Sequence, residues 1–130
     1  KTVLVLQNDP LLRDLIRLTL KRAGCRVVAC ADLITGLGLL TAERPDLILV
    51  DLFLADEIGV SLVQRLRAAP AGGVPILAMS SLGFRDVVQQ AVRAGADDFI
   101  VKPFEPDELI QRVELALLRA GAVSAETRKT

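Results

Sequence analysis

At 130 residues the chain is the size of one domain with its own hydrophobic core. Sixteen Lys and Arg balance sixteen Asp and Glu, so direct nucleic-acid binding by this segment has no electrostatic support. No apolar run approaches the ~20 residues of a membrane span, and the absence of histidine excludes a His-based triad or His metal site.

Taken in chain order, five strand-length apolar runs alternate with longer amphipathic segments. TVLVL (2–6) stops at Gln7-Asn8-Asp9. Asp9-Pro10 reads as an N-cap followed by proline at the first helical position, and Gly24 after KRA as the glycine that ends the helix. Leu11, Leu15 and Leu18, with Ile16 and Leu20, form an apolar stripe at helical spacing. RVVAC (26–30) is the second strand; Cys25 and Cys30 bracket it without CxxC or Cys/His company and read as reduced, half-buried thiols. Asp32 can cap a helix over 33–43, which Gly36 and Gly38 weaken by ~1 kcal/mol each.

The third strand is LILVD (47–51). A helix over 59–68 turns Val60, Leu62, Val63 and Leu66 inward and ends at AAPAGG, the one Gly/Pro-rich loop. PILAMS (75–80) is the fourth strand, followed by a helix over about 84–94 that stops at Gly95. In that helix Val87, Val88, Ala91 and Val92 serve packing, while Arg85, Gln89, Gln90 and Arg93 face out. DFIV (98–101) is the fifth strand, and the last helix runs from Pro106 to about Ala120. Residues 1–120 thus read as one domain, and GAVSAETRKT (121–130) as a linker or tail. No signal peptide is visible at the start.

Near-continuous apolar strands separated by helices imply a parallel sheet covered on both faces, a (βα)5 α/β domain. Ligands in such sheets bind beyond the carboxyl ends of the strands. Those ends carry Gln7-Asn8-Asp9, Asp51, Ser80-Ser81 and Lys102-Pro103. A carboxylate, hydroxyls and an ammonium on one edge can hold a phosphoryl dianion, with Asp51 as the nucleophile.

From Thr2 to about Leu118 the chain resembles the receiver domain of two-component response regulators. The carrying segments are LILVDLFL around Asp51, ILAMSS at Ser80, RAGADDFIVKPF ending in Lys102-Pro103-Phe104, and PDELIQRVELAL. The resemblance implies a doubly wound, flavodoxin-like sheet of order 2-1-3-4-5. It also implies a cytoplasmic signalling module rather than an enzyme. Asp51 would accept a phosphoryl group from a histidine kinase or phosphotransfer protein, with Lys102 and Ser80 on the phosphoryl oxygens. Ser80 and Phe99 would form the switch, and a cis bond before Pro103 would aim the lysine. The fourth helix, fifth strand and fifth helix would face an output domain, a partner protein or a second copy in a homodimer.

One departure weighs on the chemistry. The family ends its first strand in two acidic residues that hold Mg²⁺ together with the backbone carbonyl at position 53. Here those positions are Gln7 and Asn8, with Phe53 at the third. Two carboxylates fewer predict weak or absent Mg²⁺ binding and a direct Lys102–Asp51 pair. Asp9 reads as a helix cap, with an inward turn toward the metal as the alternative. Ala55 and Ile58 stand where the family favours Pro and Asp, and Phe53 and Leu82 occupy positions that tune water access to the acyl phosphate. The alternative to a phosphorylated switch is a pseudo-receiver that binds partners regardless of phosphorylation. A nucleotide- or flavin-binding enzyme is disfavoured, because QNDPLL contains no glycine for a phosphate loop.

Overall fold

The computed structural model describes residues 1–70, 73–81 and 85–129, apart from the side chains of Val87 and of 122–129. Each element forms where local chemistry permits. β1 (Thr2–Leu6), β2 (Arg26–Cys30), β3 (Leu47–Asp51), β4 (Ile76–Ser81) and β5 (Asp98–Lys102) are the apolar runs. They alternate with α1 (Pro10–Arg22), α2 (Leu33–Glu43), α3 (Gly59–Ala68), α4 (Arg85–Ala94) and α5 (Pro106–Lys129). The sheet is fully parallel, in the order β2-β1-β3-β4-β5.

Alternation along the strands divides the core in two. Leu4, Leu6, Ile48, Val50, Ile76 and Ala78 meet Leu33 and Leu40 of α2, Leu62, Val63 and Leu66 of α3, and Val88 and Ala91 of α4. On the other face Val3, Val5, Leu47, Leu49, Leu77 and Met79 meet Ile16 and Leu20 of α1 and Leu109, Val113 and Ala116 of α5. Each fully buried aliphatic side chain contributes ~1.5–3 kcal/mol. The strands most apolar in sequence, β1 and β3, are central and buried, while β2 and β5 form the edges.

Several elements differ from the expectations above. Pro75 precedes β4, because it has no N–H for the ladder; the strand instead extends to Ser81, and β5 extends to Lys102. The leucines of α1 part company: Ile16 and Leu20 are buried, whereas Leu11, Leu15 and Leu18 lie on the outer side at 82%, 48% and 48% exposure. Sheet contact covers only one flank of a helix, so an apolar stripe wider than that flank is left partly outside. Val92, expected to pack, is exposed for the same reason. Cys30 is buried rather than half-buried, and both cysteines are free. α5 does not end near Ala120 but runs on through 121–129 to Lys129.

Two contacts hold helices to the sheet at fixed places. Gly36 sits over β1, where an added Cβ would lie 2.6 Å from Leu6 Cδ2 and 3.0 Å from its Cγ. The glycine that weakens α2 as a helix is what lets α2 approach the sheet. At the amino end of the strands, Arg67 of α3 donates to the carbonyls of Gly95 and Val74 and pairs with Asp97, whose Oδ2 also accepts from Ile76 N at 2.7 Å. One guanidinium thereby joins α3, the turn after α4 and the start of β4.

Gly38 has open space around it, so Gly38→Ala is expected to raise unfolding stability by up to about 1 kcal/mol. Gly36→Ala should lower it, since overpacking against Leu6 costs about 1–3 kcal/mol and exceeds the same helical gain; chemical denaturation of both variants measures the contrast. Burial pushes the Cys30 thiol from 9.0 up to about 11. Its thiolate fraction near neutral pH is therefore about 100-fold below that of an ordinary thiol, and rises only as pH climbs toward that value. Cys30 in the folded chain should resist iodoacetamide accordingly, which peptide mapping of timed alkylation reads.

Candidate functional site

The order of the sheet fixes where a site can form. From β1 the chain goes outward to β2 and then returns to place β3 on the other side of β1. A crevice opens beyond the carboxyl ends of β1 and β3, where the connections diverge. Leu6 pairs with Val50, so Gln7 and Asp51 lie next to each other just past that pair; Asp51 pairs in turn with Met79. Parallel register points these three side chains to one face, and Gln7 and Asp51 are each 2% exposed.

Asp51 is held from three directions. Lys102 Nζ lies 2.5 Å from its Oδ2, Gln7 Nε2 donates to the same oxygen at 2.8 Å, and Phe53 N–H donates to Oδ1 at 2.9 Å. A carboxylate offers about four acceptor directions. Among the described residues Oδ2 therefore has both directions occupied and Oδ1 keeps one, which leaves Oδ1 the oxygen available to attack an incoming electrophile.

Gln7 is fixed at both ends. Its Oε1 accepts from Asp9 N–H at 3.0 Å, while its Nε2 faces Met79 Sδ at 3.7 Å as well as Asp51. A backbone N–H can only be met by the amide oxygen and a carboxylate only by the amide nitrogen, so the neighbours dictate the orientation. Arg13, one turn into α1, donates to the Gln7 carbonyl at 3.0 Å.

The remaining sequence-derived residues fall around this centre. Asp9 is the α1 N-cap, its Oδ1 accepting from Leu11 N at 3.0 Å and Leu12 N at 3.4 Å; the inward turn is not taken. Asn8 is exposed beside it. Ser80 is fully buried, but its hydroxyl donates to the Ser81 carbonyl at 3.4 Å rather than to Asp51. Lys102–Pro103 is a cis peptide bond, and Phe99 is 37% exposed on β5. Phe53 bridges to Ile58 across the loop after β3, and Ala55 is exposed in that loop. Leu82 lies outside the described residues.

Donors for Mg²⁺ can be checked against this geometry. The ion needs several hard oxygens, usually with one or two carboxylates among them. Here the Gln7 oxygen is engaged by Asp9 N–H, the Asp9 carboxylate caps a helix, and Asp51 Oδ2 carries two donors. No group of three or more Cys, Asp or Glu suited to a metal occurs among the described residues. The donor set as arranged does not fit Mg²⁺.

Sequence reasoning missed the donor role of Gln7, the sulfur of Met79 beneath it, and Asp56. Asp56 reaches from the loop after β3 to accept from Leu33 N at 3.0 Å and Ile34 N at 3.2 Å. These bonds, that from Leu33 foremost, hold its carboxyl below the usual carboxylate range. They tie the loop beside Asp51 to the start of α2. The one signal available in advance was that glutamine, with its longer reach than asparagine, occupies the position next to Asp51 in the strand register.

Comparison with known proteins places this geometry in context. The model of the response regulator receiver domain matches residues 3–114. The DNA-binding dual master transcriptional regulator RpaA of Synechocystis is 34% identical over 122 residues, covering 93% of this chain and 51% of RpaA. The transcriptional regulatory protein CseB of Streptomyces coelicolor is 36% identical over 119 residues, covering 92% and 50%. The chain spans about half the length of these regulators. Among solved structures, the receiver domain of the sensor histidine kinase PA1611 from Pseudomonas aeruginosa superposes with a TM-score of 0.81. It is 28% identical, the match covers 90% of this chain and 97% of that one, and that structure has a magnesium ion in its active-site cleft.

Breaking the central pair tests its weight. Lys102→Ala leaves the buried Asp51 carboxylate with neutral donors only, and is expected to cost about 2–3 kcal/mol, less than a wholly buried pair because the lysine is partly exposed. Adding Asp51→Asn should recover at least half of the loss, as measured by urea denaturation of the single and double variants.

Proposed function

The chain belongs to the response regulator receiver domain family, and from that premise we propose that it receives a phosphoryl group on Asp51 and relays that state to a partner. The observation that carries this reading is the buried Asp51, whose Oδ1 keeps an open acceptor direction while Lys102 stands against Oδ2. The donor is a histidine kinase or a phosphotransfer protein. Asp51 Oδ1 attacks phosphorus, the N–P bond of the donor's phosphohistidine breaks, and its electron pair returns to the imidazole. Lys102 then pairs with the phosphoryl oxygens and Ser80 turns its hydroxyl from Ser81 to one of them. Mg²⁺ contributes weakly or not at all.

Ser80 and Phe99 report the change to the surface formed by α4, β5 and α5. Val92, Phe99, Leu115 and Leu118 expose apolar area there, beside the Asp98–Arg112 ion pair. Such a patch suits an output domain, a protein partner or a second copy. Residues 1–120 are the receiver unit and 121–130 the segment leading out of it. The protein acts in the cytoplasm as a signalling module rather than an enzyme; no helix among the described residues is long and apolar enough to cross a membrane. This segment binds no nucleic acid itself. The pseudo-receiver alternative finds no support among the relatives, which are transcriptional regulators.

Incubation with acetyl phosphate or a phosphorylated phosphotransfer protein should add the mass of one phosphoryl group to the intact chain, and Asp51→Asn should abolish the gain. A gain that persists in Asp51→Asn assigns the wrong acceptor.

A further inference from the structure

We infer that Gln7 is a positioning residue for phosphoryl transfer, holding Asp51 Oδ2 through its side-chain amide both before and after the phosphoryl group arrives. The inference rests on the reading of Asp51 as the acceptor and adds what stands where the family uses acidic metal ligands.

The two donors on Oδ2 differ in what they can do next. Lys102 reaches Asp51 from β5 on a flexible four-carbon stem and keeps a side chain 23% exposed. It can leave for the phosphoryl oxygens. Gln7 cannot follow, because its Oε1 is tied to Asp9 N–H, its Nε2 lies between Asp51 and Met79, and the residue is 2% exposed. When Oδ1 bonds to phosphorus, Oδ2 changes from a carboxylate oxygen to the carbonyl oxygen of an acyl phosphate. It still accepts the Gln7 N–H, so the Asp51 side chain keeps its orientation while Lys102 moves. A neutral donor already in place, with no reorganisation at the moment of transfer, is the general arrangement by which fixed dipoles assist such steps.

Chemistry at position 7 then decides how Oδ2 is held. A carboxylate there has no hydrogen to offer and faces Oδ2 with like charge, so it needs a cation between the two. An amide bridges directly. The misfit of this donor set to Mg²⁺ and the Gln7–Asp51 hydrogen bond are therefore two aspects of one substitution, and transfer to Asp51 should proceed without a divalent ion.

The test follows intact mass over time with acetyl phosphate, in EDTA and in Mg²⁺, for the full 130-residue chain, with circular dichroism to verify folding. The wild-type chain is expected to label at rates within about twofold in the two buffers. Gln7→Ala should label about 10- to 100-fold more slowly in both, the loss that follows when the attacking carboxylate is no longer held in orientation. Gln7→Glu, of nearly the same size but without a donor, should fail to label in EDTA. A second readout uses the wild-type chain alone: the Gln7 side-chain NH₂ resonance should be protected from solvent exchange and should shift on labelling. Abolition of wild-type labelling by EDTA, wild-type rates in Gln7→Ala, or an NH₂ resonance that ignores labelling each overturns the inference while leaving Asp51 as acceptor. A wild-type chain that takes no phosphoryl group in either buffer overturns the reading of Asp51, and the inference with it.

Discussion

A parallel sheet buried on both faces is the constraint from which the rest of this structure descends. Val3 to Leu6 and Leu47 to Val50 have no exposed surface, and the two cores they feed use alternate side chains of the same strands. A central strand of this kind has room for polar groups only at its ends. Chemistry is therefore displaced to the strand termini by the same burial that stabilises the domain. Strand order then selects the terminus, since only between β1 and β3 do the outgoing connections part.

The two ends of the sheet are managed differently. At the amino end Arg67 ties backbone carbonyls and Asp97 together, a fixed arrangement with its donors spent on structure. At the carboxyl end Asp51 meets one ammonium, one amide and one backbone N–H, and the two side-chain partners differ in freedom. The balance of one carboxylate against one lysine makes the resting pocket neutral without an added ion. Around it, Asp56 links the loop after β3 to α2, and Gly36 sets α2 close against Leu6, so that the surroundings of Asp51 are anchored to the core.

The architecture was legible in the sequence because burial leaves a mark on every strand. Runs such as LILVD admit no amphipathic reading, and Asp9-Pro10 and Asp32 announce helix starts through chemistry local to the backbone. The same local reasoning failed where the outcome depends on what lies opposite. Leu11, Leu15 and Leu18 have helical spacing, yet spacing does not say how wide a flank the sheet covers. Gly36 looked like a defect in α2 because the side chain it admits, Leu6, lies thirty positions earlier in the chain.

The sequence by itself determined the fold class, the residues that collect at the strand ends, and the absence of the acidic pair at positions 7 and 8. The first two follow from composition and period, which act over a few residues, and the third from the resemblance to the receiver family. Only the tertiary structure decided what Gln7 does. Whether an amide offers its oxygen to a metal or its nitrogen to a carboxylate depends on the groups at each end of it. Here those groups are Asp9 N–H, from its own loop, and Asp51, forty-four positions away and brought alongside by the pairing of β1 with β3.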